Sequence, residues 1–142
     1  MFSTGPLGFF GEVNALQPRI ELRFSDTTAT AWVPAKAVVD TGFAGALFLN
    51  EVTAHTLWQH KLNLKFIGHV NVGPITGSNV RLPLFVVSVL WGASIEDALA
   101  IVEFGSNALD ASGDPRILIG SELLDGMRLV IDYNNKSTEL TP

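Results

Sequence analysis

From Arg19 the chain alternates, with Ile20, Leu22 and Phe24 apolar and Glu21 and Arg23 polar, which is the period of a strand with one buried face. Ser25-Asp26-Thr27-Thr28 supplies turn chemistry, so Ala29 to Pro34 is expected to return as the second strand of a hairpin. Ala35 to Val39 then approaches as a further strand and runs into Asp40-Thr41-Gly42. Ala46-Leu47-Phe48-Leu49 predicts a short apolar strand, and Asn50 is placed to cap a helix that carries Glu51 in its first turn and ends near His60. Phe66 to Val72 and Val80 to Val89, joined through Pro74-Ile75-Thr76-Gly77-Ser78, predict a long hairpin. Ile95 to Phe104 predicts another strand, Asn107 to Pro115 a polar loop, and Ile117-Leu118-Ile119 an apolar strand ending at Gly120. Ser121 to Asp125 fits one or two helical turns, and Leu129 to Tyr133 and Ser137 to Leu140 fit two last strands around Asn134-Asn135. Gly5, Gly8 and Gly11 punctuate the start, so residues 1–11 are expected to be a flexible lead. Many short strands, turn signals between them and one or two short helices predict an all-β fold, a barrel or a sandwich, with no internal repeat.

Composition narrows the classes. The 142 residues fit one domain, 1–142. Lys plus Arg is 9 and Asp plus Glu is 14, a net charge of −5, so no basic patch is available for nucleic acid. Hydrophobic residues make up 47%, which argues against disorder. Only 16% of residues are charged, so apolar surface is left over for an interface or a cleft. The absence of cysteine excludes disulfides, thiol nucleophiles and cysteine-bearing zinc sites. The longest apolar run, Leu82 to Ala93, is broken by Pro83 and Ser88 and falls short of the ~20 residues of a spanning helix. The N-terminus has no basic and apolar leader pattern, so a cytoplasmic protein with no membrane partner is expected. His55 and His60 lie five apart, off the helical spacing of a zinc pair, so no metal is expected. No phosphate-binding loop or serine-hydrolase elbow is present.

One segment carries chemistry. Asp40 follows the β-branched pair Val38-Val39, which partly desolvates its carboxylate. Gly42 allows close backbone approach, and Thr41 offers a hydroxyl. Taken alone, Asp-Thr-Gly also fits an ordinary turn. Downstream, Ile117-Leu118-Ile119-Gly120 is an apolar run ending in glycine, followed by Ser121-Glu122-Leu123-Leu124.

In order and spacing the two segments resemble the retropepsin-like aspartic proteases, in which an apolar–apolar–Asp-Thr-Gly loop is completed by a later apolar–apolar–Gly strand and a short helix. The resemblance runs from about Gly11 to Leu140, and Gly11-Glu12-Val13-Asn14 with Pro18-Arg19-Ile20-Glu21-Leu22 looks like the bacterial members. It implies a retropepsin-like acid protease barrel whose single domain is half an enzyme. A homodimer would supply the second Asp40, and the two carboxylates would activate a water against a peptide or protein substrate, with no cofactor. By the same resemblance Thr41 and Gly42 support the active-site loop, and the hairpin tip at Ile75, Thr76 and Gly77 is the flap. Phe43, Ala44, Ile119 and Gly120 then border the substrate. Viral members carry Ala and Asp where Phe43 and Ala44 stand, and Arg where Ser121 stands. That Asp and Arg pair with each other, so both partners of one ion pair are replaced together. Phe43 either lines a substrate pocket or fills it. A filled site would leave an inactive dimerisation or peptide-binding module, and a third reading is a barrel for a small molecule in which Asp40 is structural.

Overall fold

Side-chain alternation decides the centre of the sheet. In β3 (Gln17–Ser25), Ile20, Leu22 and Phe24 are fully buried while Glu21 and Arg23 stay half-buried. The computed structural model describes residues 2–73 and 80–142. Before β3 come β1 (Ser3–Gly5) and β2 (Gly8–Asn14); after it comes β4 (Trp32–Val39), antiparallel to β3 from Arg19↔Val38 to Ser25↔Trp32. The two strands expected over 29–39 are one, and it begins later. The Asp26 carboxylate accepts hydrogen bonds from the Thr28 and Thr30 amides and from the Thr30 hydroxyl, which keeps that segment in the turn.

Next come β5 (Leu47–Asn50), α1 (Glu51–Gln59), β6 (Leu64–Val72), β7 (Val80–Trp91) and β8 (Ser94–Glu103). The chain ends with β9 (Leu118–Ile119), α2 (Ser121–Leu124), β10 (Arg128–Asp132) and β11 (Ser137–Thr141). Asn50 caps α1 as its sequence position predicts, its side chain accepting from the Thr53 amide. The tip between β6 and β7, with Ile75, Thr76 and Gly77, lies outside the described residues.

Strand order runs β3-β4-β9-β5-β8-β7, and β7 pairs back on β3 at Phe24↔Val89 and Ser25↔Ser88. The path therefore closes into a barrel. β6 flanks β7 on one side, while β2, β11 and β10 extend from β3 on the other, with β1 against β2. The core is filled by Ile20, Leu22 and Phe24 of β3, Leu47 and Leu49 of β5, Val87 and Val89 of β7 and Ala100 and Val102 of β8, with Leu57 of α1 packed on them. Each buried Leu, Ile or Phe contributes roughly 1.5–3 kcal/mol.

The glycine-punctuated start corrects the expectation of a flexible lead. Residues 3–5 and 8–11 are strand, Phe9 is buried in the core, and β2 pairs with β11 at Leu140↔Phe9. The apolar pattern Phe9, Gly11, Val13 is itself a half-buried strand, and its burial outweighs the freedom of the glycines. Of the tryptophans, Trp32 and Trp58 are exposed, while Trp91 packs against the core and Phe9.

One buried cation ties the polar loop 107–115 to the sheet. The Arg19 guanidinium donates to Glu12 at 2.6 Å, Asp110 at 2.9 Å and Asp114 at 2.7 Å. Burial alone would lower its pKa, but its hydrogen bonds to Asp114, Glu12 and Asp110 hold it above the usual arginine value. The Asp110 side chain is fully buried, so removing Arg19 would strand a charge at a cost of about 3–5 kcal/mol. Among the described residues no helix is long and apolar enough to cross a membrane.

Candidate active site

β4 delivers Asp40 at its end, and β9 holds it there. β9 lies between β4 and β5, parallel to β4 (Val38↔Leu118, Val39↔Ile119) and antiparallel to β5 (Leu47↔Ile119, Phe48↔Leu118). The Asp40 amide donates to the Ile119 carbonyl at 2.9 Å, and the Val38 amide donates to the Ile117 carbonyl at 2.8 Å. The loop from Asp40 to Ala46 is thus closed by a strand 80 residues downstream in sequence (119 − 39 = 80).

The loop is clamped on its other side by consecutive amides. Gly120 donates to the Ala46 carbonyl at 2.9 Å, Ser121 to the Phe43 carbonyl at 2.8 Å and Glu122 to the Gly45 carbonyl at 3.3 Å. Gly120 has to be glycine, because a Cβ there would overlap the carbonyl oxygens of Gly45 and Phe43. Apolar–apolar–Gly followed by a helical turn is therefore a local requirement: β-branched residues fill the sheet, glycine admits the loop, and the first amides of α2 find acceptors in it.

Within the loop, the Gly42 amide donates to Asp40 Oδ1 at 3.0 Å, and the Phe43 amide donates to the Asp40 carbonyl at 3.1 Å. Asp40 is half-buried, and Thr41 and Gly42 are exposed. Asp40 and Thr41 open on a hollow of about 410 Å³ whose lining also includes Leu16, Arg116, Leu118 and Tyr133. Leu16 sits at the apex of the β2–β3 turn, and Tyr133 follows β10 in a turn held by Asp132. Hydrogen bonds from the Asn135 amide and side chain, with the Asn134 amide, keep the Asp132 carboxyl below its ordinary range.

The other expected site residues fall elsewhere. The Phe43 ring meets Phe48 edge-on at 6.1 Å between centroids and packs over Gly45 and Gly120, under the loop and outside the lining of the Asp40 hollow. Ala44 is exposed on the loop; Ile119 and Gly120 are buried beneath it, where they support Asp40 through the backbone. Arg116, Leu16 and Tyr133 are additions that strand periodicity could not supply, because they meet Asp40 only through the folding of two distant turns. The signal for Arg116 was its place directly before Ile117. A second hollow of about 320 Å³, between Phe24, Val33, Ala35 and Leu57, lacks Asp40.

Chemically, the site offers a carboxylate with one oxygen held by an amide, in a hydrogen-bonded loop, facing an open hollow of mixed polar and apolar lining. Among the described residues no cluster of His, Asp or Glu suits a metal ion. No protein-family model and no curated protein matches the sequence.

Proposed function

We propose that the protein is a retropepsin-like aspartic endopeptidase, active as a homodimer in which the Asp40 carboxylates of two copies form one catalytic dyad. The observation that carries this reading is the insertion of β9 between β4 and β5. It closes the Asp40 loop with the apolar–apolar–Gly strand that the family resemblance calls for. The exposure of Thr41 and Gly42 beside a half-buried Asp40 further supports it, since a second copy must reach these residues.

A single carboxylate cannot act as base and acid at once, so one chain has half of the required chemistry. Two carboxylates brought to about 3 Å on a two-fold axis cannot both ionise and share one proton, the known pattern of aspartic proteases. The ionised member takes a proton from water as the oxygen attacks the peptide carbonyl carbon. The protonated member gives its proton to the carbonyl oxygen, and a proton then passes to the leaving nitrogen as the C–N bond breaks. The dyad titrates as a pair. The amide clamp on residues 43–46 keeps the carboxylate positioned through these steps.

The packing of Phe43 under the loop favours turnover over a filled, inactive site. Asp40→Asn tests the reading. Cleavage of a broad peptide library should fall by at least about a hundredfold, the usual scale of lost acid–base catalysis, with an unchanged far-ultraviolet spectrum and melting temperature. Undiminished cleavage by a folded Asp40→Asn protein would move the activity away from this site.

A further inference from the structure

The lining of the Asp40 hollow contains two charged residues, Asp40 itself and Arg116. The Arg116 backbone is fixed, its amide donating to the Ala108 carbonyl at 3.0 Å. Its guanidinium lies over the Phe48 ring, with Cζ 5.6 Å from the centroid. Its Nε is buried without a hydrogen-bond partner among the described residues. Buried Arg19 is matched by three carboxylates, whereas no carboxylate of the described residues forms an ion pair with half-buried Arg116; Arg23, over the Trp32 ring, also has a buried Nε without a partner but does not line the Asp40 hollow.

A planar cation stacked on an aromatic face, with a donor left unmatched, is suited to receive a carboxylate in a bidentate grip. Asp40 is not that carboxylate. The two do not form an ion pair, and a dyad member locked as an anion by arginine could not share the catalytic proton. The remaining lining is uncharged: Gln17, Thr41 and Tyr133 can add neutral hydrogen bonds, but Arg116 is its one cation.

We infer that Arg116 is a specificity residue that selects substrates bearing a carboxylate next to the scissile bond. This rests on the peptidase reading and deepens it by naming a substrate class: peptides with Asp or Glu beside the cleaved position. A peptide's free C-terminal carboxylate has the same chemistry, so the two sources have to be separated by the test.

The experiment uses the full chain and acetylated, amidated peptides that differ only as Glu against Gln around the cleaved position, with a parallel set ending in a free carboxylate. The wild-type protein should cleave the Glu peptide about ten- to a hundredfold more efficiently in kcat/KM than its Gln counterpart, the scale of one charge-assisted contact. Selectivity confined to the free-ended set would assign the carboxylate to a chain terminus and still support Arg116 as its receptor. Arg116→Met, which keeps the stem over Phe48, should bring the Glu-to-Gln ratio to about one, and Arg116→Glu should favour a Lys peptide instead. The same ratios are read without turnover as binding of the peptides to the Asp40→Asn protein. Acid-selective binding with no cleavage by wild type would overturn the peptidase reading and retain the carboxylate site. Equal handling of Glu and Gln peptides together with no preference for a free carboxylate end, or selectivity that survives in a folded Arg116→Met protein, would overturn the inference.

Discussion

At the scale of single residues, Gly120 and Asp26 make the sharpest demands. Gly120→Ala places a methyl group against two backbone oxygens that cannot move without opening the Asp40 loop. It should cost about 3 kcal/mol by urea denaturation and lose cleavage as well. An alanine variant of wild-type stability would mean that the loop does not approach this closely. Asp26 is held by the Thr30 hydroxyl first, against the opposing effect of burial, with the Thr30, Thr28 and Ala31 amides adding to it; its pKa is lowered from 3.8 to about 2. A depressed carboxyl stabilises the fold above its unfolded pKa and loses that contribution as pH falls through its folded value. Asp26→Ala should therefore melt below wild type at neutral pH, and the gap should close between pH 3.8 and about 2. A gap independent of pH would remove the charge from the explanation. Asp40 stood out in the sequence because Asp-Thr-Gly could be matched with the downstream Ile117-Leu118-Ile119-Gly120 run that closes its loop. Arg116 did not, because its significance comes from residues such as Leu16 and Tyr133 that only folding brings beside it.

At the scale of elements, the pattern of strands was readable wherever one face is buried. β3 follows its alternation, β7 and β8 form where strands were expected, and α1 begins at the predicted cap. What the pattern could not give is order in the sheet. β9 is only two residues long, and its place between β4 and β5 is set by backbone bonds to both rather than by its own periodicity. The β2–β3 turn was hidden for a different reason. Asn14 pairs with Gln17, so Ala15 and Leu16 form a two-residue loop, and both have positive φ (50° and 64°). That conformation usually calls for Asn-Gly, so no turn signal marked it. It is unfavourable for residues with a Cβ, and it presents Leu16, 79% exposed, beside Asp40. Ala15→Asn combined with Leu16→Gly should raise stability by about 1 kcal/mol in urea while weakening peptide binding. A stability loss would show that the turn is unstrained.

At the scale of the whole molecule, the low charge noted in the sequence has a visible destination. Leu16 and Tyr133 expose apolar surface at the rim of the Asp40 hollow. A second group, Trp58, Phe66 and Phe104, is exposed around Phe85, with Trp58 and Phe104 stacked at 5.8 Å. Other exposed apolar residues, Leu7 and Leu109 among them, lie outside both groups, and of the two groups the first borders the face through which a second copy would complete the dyad. The central claim is that completion: one active site from two Asp40 residues. Mixing equal amounts of wild-type and Asp40→Asn protein at a fixed total concentration above the dimer dissociation constant tests it directly. If each site needs both carboxylates, only wild-type pairs are active, and the initial cleavage rate should fall to about one quarter of that of the all-wild-type sample. A rate of about one half would mean that each chain works alone, and it would contradict the shared dyad.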